Sequence, residues 1–117
     1  MSWARSLLPA CQDLADKLTA AGVPATLSRH TLNVPGAWVR PDTASRTSLR
    51  GGTARVSVLL VVNQSNDLEA VEDLVVLLDK ALEVIDPDED VDLSVLLPHN
   101  GNNLPACRLA VDLDLEE

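Results

Sequence analysis

At 117 residues the chain is long enough for one domain that buries a core without disulfides or metals. Hydrophobic residues make up 46% of it, and Trp3 and Trp38 are its only aromatics, so the composition excludes disorder and predicts an aliphatic core. A net charge of −9 argues against general nucleic-acid binding.

The charge is unevenly spread. Residues 1–60 hold seven basic and three acidic side chains, whereas residues 61–117 hold two and fifteen. That asymmetry suits either separate solvated faces or head-to-tail stacking of copies, basic surface on acidic surface. Heterologous contacts of that kind close into rings when the rotation permits. The amino terminus lacks a continuous apolar stretch, and the longest apolar run is too short to span a bilayer. The expectation is a soluble protein of a reducing cytosol. Cys11 and Cys107 sit in apolar patterns far apart and read as buried free thiols; a disulfide would need a proximity that sequence does not show.

In chain order, residues 2–21 read as a helix with Trp3, Leu7, Cys11, Leu14, Leu18 and Ala21 on one face. Pro9 marks a kink or a start near Leu8, and Gly22 is a left-handed C-cap candidate with Pro24 close behind. Residues 25–29 form a short strand candidate, and Asn33-Val-Pro-Gly36 is a turn signal. Ala37 to Arg40 resumes as a strand that Pro41 is expected to end. Residues 42–52 lack apolar periodicity and read as a flexible loop that either touches something else, through Arg46, Leu49 and Arg50, or is a disordered hairpin tip.

Arg55 to Val62 is aliphatic almost throughout and suits a strand covered on both faces. Asn66 and Glu69 have the spacing of a capping box, opening a helix predicted to run to Ile85. Its expected core face is Leu68, Val71, Leu74, Val75, Leu78, Leu82 and Ile85. Apolar residues cover more of this helix than one sheet needs. Leu77 and Val84 fall on the far flank of the apolar arc and Val76 inside the charged arc, to be covered by the first helix, a loop or a neighbouring subunit.

Asp86, Asp88 and Asp90 alternate like the first ligands of a calcium loop. However, Val91 and Leu97 stand where glycine and glutamate are required, so an acidic turn is expected, solvated or facing arginines. Residues 91–97 read as a strand. In the last strand Cys107, Leu109, Val111, Leu113 and Leu115 alternate with Arg108, Ala110, Asp112 and Asp114, which predicts one buried face. The reading is α+β: one four- to five-stranded mixed or antiparallel sheet with two helices packed on it, ordered α-β-β-β-α-β-β. It makes a single domain over 1–117 with a flexible loop at about 42–52.

No catalytic, cofactor or metal site is predicted, and the chain is not expected to be an enzyme. His30 and His99 lack partners at ligand spacing. The strand–helix junction at 63–67 lacks the glycines of a phosphate loop, and nothing marks a nucleophile elbow.

Several segments together resemble a known family: the opening Ser2-Trp-Ala, Thr19-Ala-Ala-Gly-Val23, Val34-Pro-Gly-Ala-Trp-Val39, the pair Gly51-Gly52 before an apolar strand, the helix from Leu68, and Leu104-Pro-Ala-Cys-Arg-Leu109. They are similar to the tail terminators, or tail completion proteins, of long-tailed bacteriophages that infect actinobacteria. The resemblance implies a small α/β fold and a homohexameric ring at the tail–neck junction of the virion, assembled in the host cytoplasm. Such a ring stops tail-tube polymerisation and meets the tail-tube protein and a neck or head-completion protein, with DNA passing through its lumen. It implies no membrane contact and no sequence-specific nucleic-acid contact. The residues expected to touch an adjoining subunit or the tube are Arg40, Arg46, Leu49 and Arg50, the flank residues Val76 and Leu77, and the acidic Asp88, Glu89 and Asp90. Another neck component (a head–tail stopper or connector subunit) and a small-ligand-binding regulatory module remain as alternatives.

Overall fold

A strand as uniformly aliphatic as Arg55 to Val62 needs cover on both faces, and the fold supplies it. In the computed structural model, which describes residues 3–46, 51–63, 66–87, 89–99 and 102–116, it forms the middle of a five-stranded sheet. The strands are β1 (Ala25–Thr26), β2 (Gly36–Arg46), β3 (Gly51–Val61), β4 (Asp92–His99) and β5 (Asn102–Glu116), in spatial order β1-β2-β3-β5-β4. β3 pairs antiparallel with β2 and β5, and β4 antiparallel with β5, while β1 runs parallel to β2. With α1 (Leu7–Ala20) and α2 (Asp67–Ala81) on one face, this is the expected α+β architecture and order.

The strand period of two divides the core. Val56, Val58 and Leu60 join Val39, Cys107 and Leu109 under the helices, where Leu14, Leu18, Leu74 and Leu77 pack. On the opposite face Leu59 and Val61 join Ala106 and Leu97, covered by Leu32 and Val34 from the segment before β2. β5 follows its alternation: Cys107, Leu109, Val111 and Leu115 are buried, while Asp112 and Asp114 are exposed.

The helix ends follow local chemistry. Pro9 occupies the first turn of α1, after a 3-10 turn over Trp3–Ser6, where a missing N–H removes no helical bond. Gly22 takes φ +98°; its N–H donates to the Thr19 carbonyl at 3.1 Å and the Val23 N–H to the Leu18 carbonyl at 2.9 Å. This is a Schellman closure, with Val23 and Leu18 both fully buried. The Asn66 side chain accepts from the Leu68 and Glu69 N–H groups at 3.0 and 3.2 Å, capping α2 as its sequence predicts. Gly36 leaves no room for a side chain, because a Cβ there would lie 2.2 Å from the Asn33 carbonyl oxygen.

Residues 42–46 and 51–52, expected in a loop, lie in strands, so β2 and β3 form a hairpin registered from Gly36↔Val61 out to Arg46↔Gly52. Its β2 arm is exposed over residues 41–46 and carries no apolar pattern, because the ladder to β3 rather than burial holds it, whereas Gly51, Gly52 and Ala54 on the β3 arm are buried. Pro41 does not end β2. The Ala37 N–H donates outward to the Pro24 carbonyl, so by alternation the donor that Pro41 lacks belongs to the free edge, and the register shifts just beyond it.

α2, expected to run to Ile85, ends at Ala81 and is rolled about its axis. Ala70, Leu74, Leu77 and Ala81 are buried, within an arc of about 60° at 100° per residue. Leu68, Val71, Val75 and Leu82, expected in the core, are 68, 42, 48 and 45% exposed. Leu74 and Ile85 are buried as expected, and Leu78 is half-buried. The small side chains of Ala70 and Ala81 let the helix axis approach the sheet, and alanines carry little weight in an apolar count.

Leu77→Ala is expected to lower the unfolding free energy by about 2–5 kcal/mol, and Val75→Ala by no more than about 0.5. Urea titration of both variants checks the roll, and equal losses would refute it. Asn66→Ala, measured the same way, is expected to cost about 1 kcal/mol.

Candidate functional site

The sheet face away from the helices is apolar at one end and charged along the rest. Arg55 and Asp112 are register partners across β3 and β5. Arg55 grips the carboxylate with Nε and Nη2 at 3.1 and 3.3 Å, and its Nη1 reaches Glu89. Beside them Arg108 Nε donates to Ser57 Oγ at 2.9 Å, and the Ser57 hydroxyl donates to Asp42. Arg40 completes the group, with Nε 3.0 Å from Asp42 and its guanidinium 5.4 Å from the centre of the Trp38 ring. Ser57 is fully buried beneath this network.

Arg55 joins the basic first half of the chain to its acidic second half within one molecule, through Glu89 and Asp112, and this pairing neutralises part of the charge asymmetry inside the fold. Asp42 and Arg108 pair in the opposite sense, each being a minority charge of its own half. Partial burial raises the Asp42 pKa, but Ser57, Arg40 and Arg108 outweigh it and hold the group below the ordinary carboxylate value.

The second distinctive surface is the uncovered side of α2. Leu68, Val71, Val75 and Leu82 fall within an arc of about 60° and extend about 21 Å along the axis. On the opposite flank Asp73, Val76 and Lys80 line an open groove of about 320 Å³ with Pro35 and Val62. That groove lies toward β2, so the apolar stripe looks the other way, toward β4. There Leu93 and Leu96 are 43 and 64% exposed.

The residues expected at an interface are scattered. Leu77 is 7% exposed and belongs to the core, so its expected place on a contact surface is corrected. Val76 is exposed, but in the groove rather than the stripe. Arg40 is held against Asp42 and Trp38, while Arg46 is exposed near the end of β2. Glu89 binds Arg55 and Asp90 is exposed. Leu49, Arg50 and Asp88 lie outside the described residues. The stripe itself escapes sequence reasoning, which assigned it to the core; the signal that points to it is the pair of alanines at helical spacing on the adjoining face.

Cys11 and Cys107 are buried free thiols. Burial raises both, Cys107 to about 12, which leaves them protonated and unreactive at neutral pH. His30 is exposed in a 3-10 turn (Arg29–Thr31). Among the described residues no group of three His, Cys, Asp or Glu side chains is placed to hold a metal ion. No described helix is long and apolar enough to cross a membrane. Compared with known proteins, the chain matches no family model, no curated protein and no solved structure.

Because the Asp42 carboxylate is held below its unfolded value, its stabilisation is complete above that value and lost as the pH falls through the folded one. Asp42→Asn is therefore expected to be less stable than wild type at pH 7, with the difference shrinking as the pH drops below about 4. Urea midpoints measured from pH 7 to pH 3 check the sign, and a gap that widens on acidification would overturn it.

Proposed function

We propose that this chain is a structural subunit that works by associating with copies of itself. On this reading it forms a ring resembling that of the tail terminators, caps a tail tube, ends its polymerisation and joins it to the neck of the capsid. The observation that carries the reading is the uncovered α2 stripe, continued by Leu93 and Leu96. Four large aliphatic side chains exposed along one face of a helix, with Leu93 and Leu96 also exposed on β4, exceed the scattered exposed leucines of ordinary monomers and support a surface that another protein covers. The segment resemblance supplies the identity of the assembly and its size of six. Its partners on this reading are further copies, the tail-tube protein and a neck protein.

The groove beside Asp73 and Lys80 favours one second reading, a small-ligand-binding module, because it sets an anion and a cation against apolar walls. Native mass spectrometry separates the two. A closed oligomer is expected to dominate, either alone or once tail-tube protein is added, and to appear as rings under negative stain. A monomer or dimer under both conditions would overturn the assembly reading, and a small molecule retained by that monomer would favour the module.

A further inference from the structure

We infer that the uncovered side of α2 receives the outer part of the β2–β3 hairpin from a second copy, so that every subunit offers one surface and inserts another. The inference rests on the self-association reading and names the contact that builds it.

Two other modes of self-pairing are disfavoured. Stripe against stripe would bring two acidic rims together, because Glu72 and Asp79 border the stripe while Lys80 lies on the groove flank. Strand addition fails at both ends of the sheet. Pro41 faces the open edge of β2, and alternation along β4 puts Pro98 on its open edge, where neither supplies an N–H. Arg29 further occupies the Pro98 carbonyl.

The hairpin fits the stripe in shape and charge. Ala44 pairs with Ala54 and Arg46 with Gly52, which places their side chains, with that of Pro41, on the helix side of the sheet. All three are exposed. Pro41 and Ala44 make a low apolar surface on which branched aliphatic side chains can seat, and Arg46 brings positive charge to the rim of Glu72 and Asp79. Within one copy the two surfaces cannot meet, because the stripe looks toward β4 while the hairpin edge belongs to β2, at the other side of the sheet. Where the same two copies do not return the contact it is heterologous, and repeated around an axis it closes a ring when the rotation permits.

Val75→Cys and Ala44→Cys place one reactive thiol on each surface, against a background in which Cys11 and Cys107 are buried. Both substitutions are at exposed positions, and far-UV circular dichroism confirms the fold. Mixed and treated with a short bis-maleimide, the two variants are expected to give a joined pair, with little joining in either variant alone. Efficient joining of Val75→Cys to itself would establish a symmetric contact and overturn the inference. An oligomer that forms without any joined pair would overturn it too, while leaving self-association standing. A wild type that stays monomeric, with or without tube protein, would remove the reading beneath it. As a second measurement, Arg46→Glu alone, and Glu72→Arg with Asp79→Arg, are each expected to weaken assembly about tenfold or more. All three changes in one chain should restore assembly, and failure to do so would reject the charge pairing.

Discussion

The contact between α2 and the sheet is made through Ala70, Leu74, Leu77 and Ala81, and it determines which surfaces the molecule presents. Two alanines at the ends of that row bring the helix close, and two leucines between them fill the space above Val56, Val58 and Leu60. With this side of the helix committed and Leu78 at its margin, Leu68, Val71, Val75 and Val76 are turned away from the core. The same packing that stabilises the domain therefore generates an exposed apolar surface, so the core and the outer face are not independent features of the sequence.

Electrostatics divides along the same lines. Charges on the sheet's free face are matched by register: Arg55 stands opposite Asp112, and the bulge beyond Pro41 places Asp42 where Arg40, Ser57 and Arg108 converge. Those groups act on the fold. Glu69, Glu72, Asp73 and Asp79 of α2 are exposed and act instead on what approaches, Glu72 and Asp79 giving its uncovered side a rim of one sign. A sheet face with paired charges and a helical face with exposed carboxylates make the two sides of the domain chemically distinct.

Sequence reasoning recovers whatever is determined locally. The β3 run, the β5 alternation, the Asn66 cap and the Gly22 closure each depend on residues a few positions apart, and the order of elements follows from them. What it misses depends on distant partners. The extended conformation of residues 42–46 comes from a ladder with β3, and no periodicity announces it. The pairing of Arg55 with Glu89 and Asp112 depends on how strands far apart in the chain align. The roll of α2 turns on alanines that an apolar count undervalues, which is why such a count centres the core face on Val75 and leaves Leu77 on its flank. An apolar arc too wide for one sheet was legible, but the side of it left uncovered was not.

Pro41 and Pro98 also bear on what the borders of the sheet can accept. Cross-β growth recruits a like strand at a sheet boundary through its unpaired N–H and C=O groups, and each open edge here lacks one N–H within its strand. In the folded molecule the borders are therefore poorer templates for such recruitment than uninterrupted strands would be.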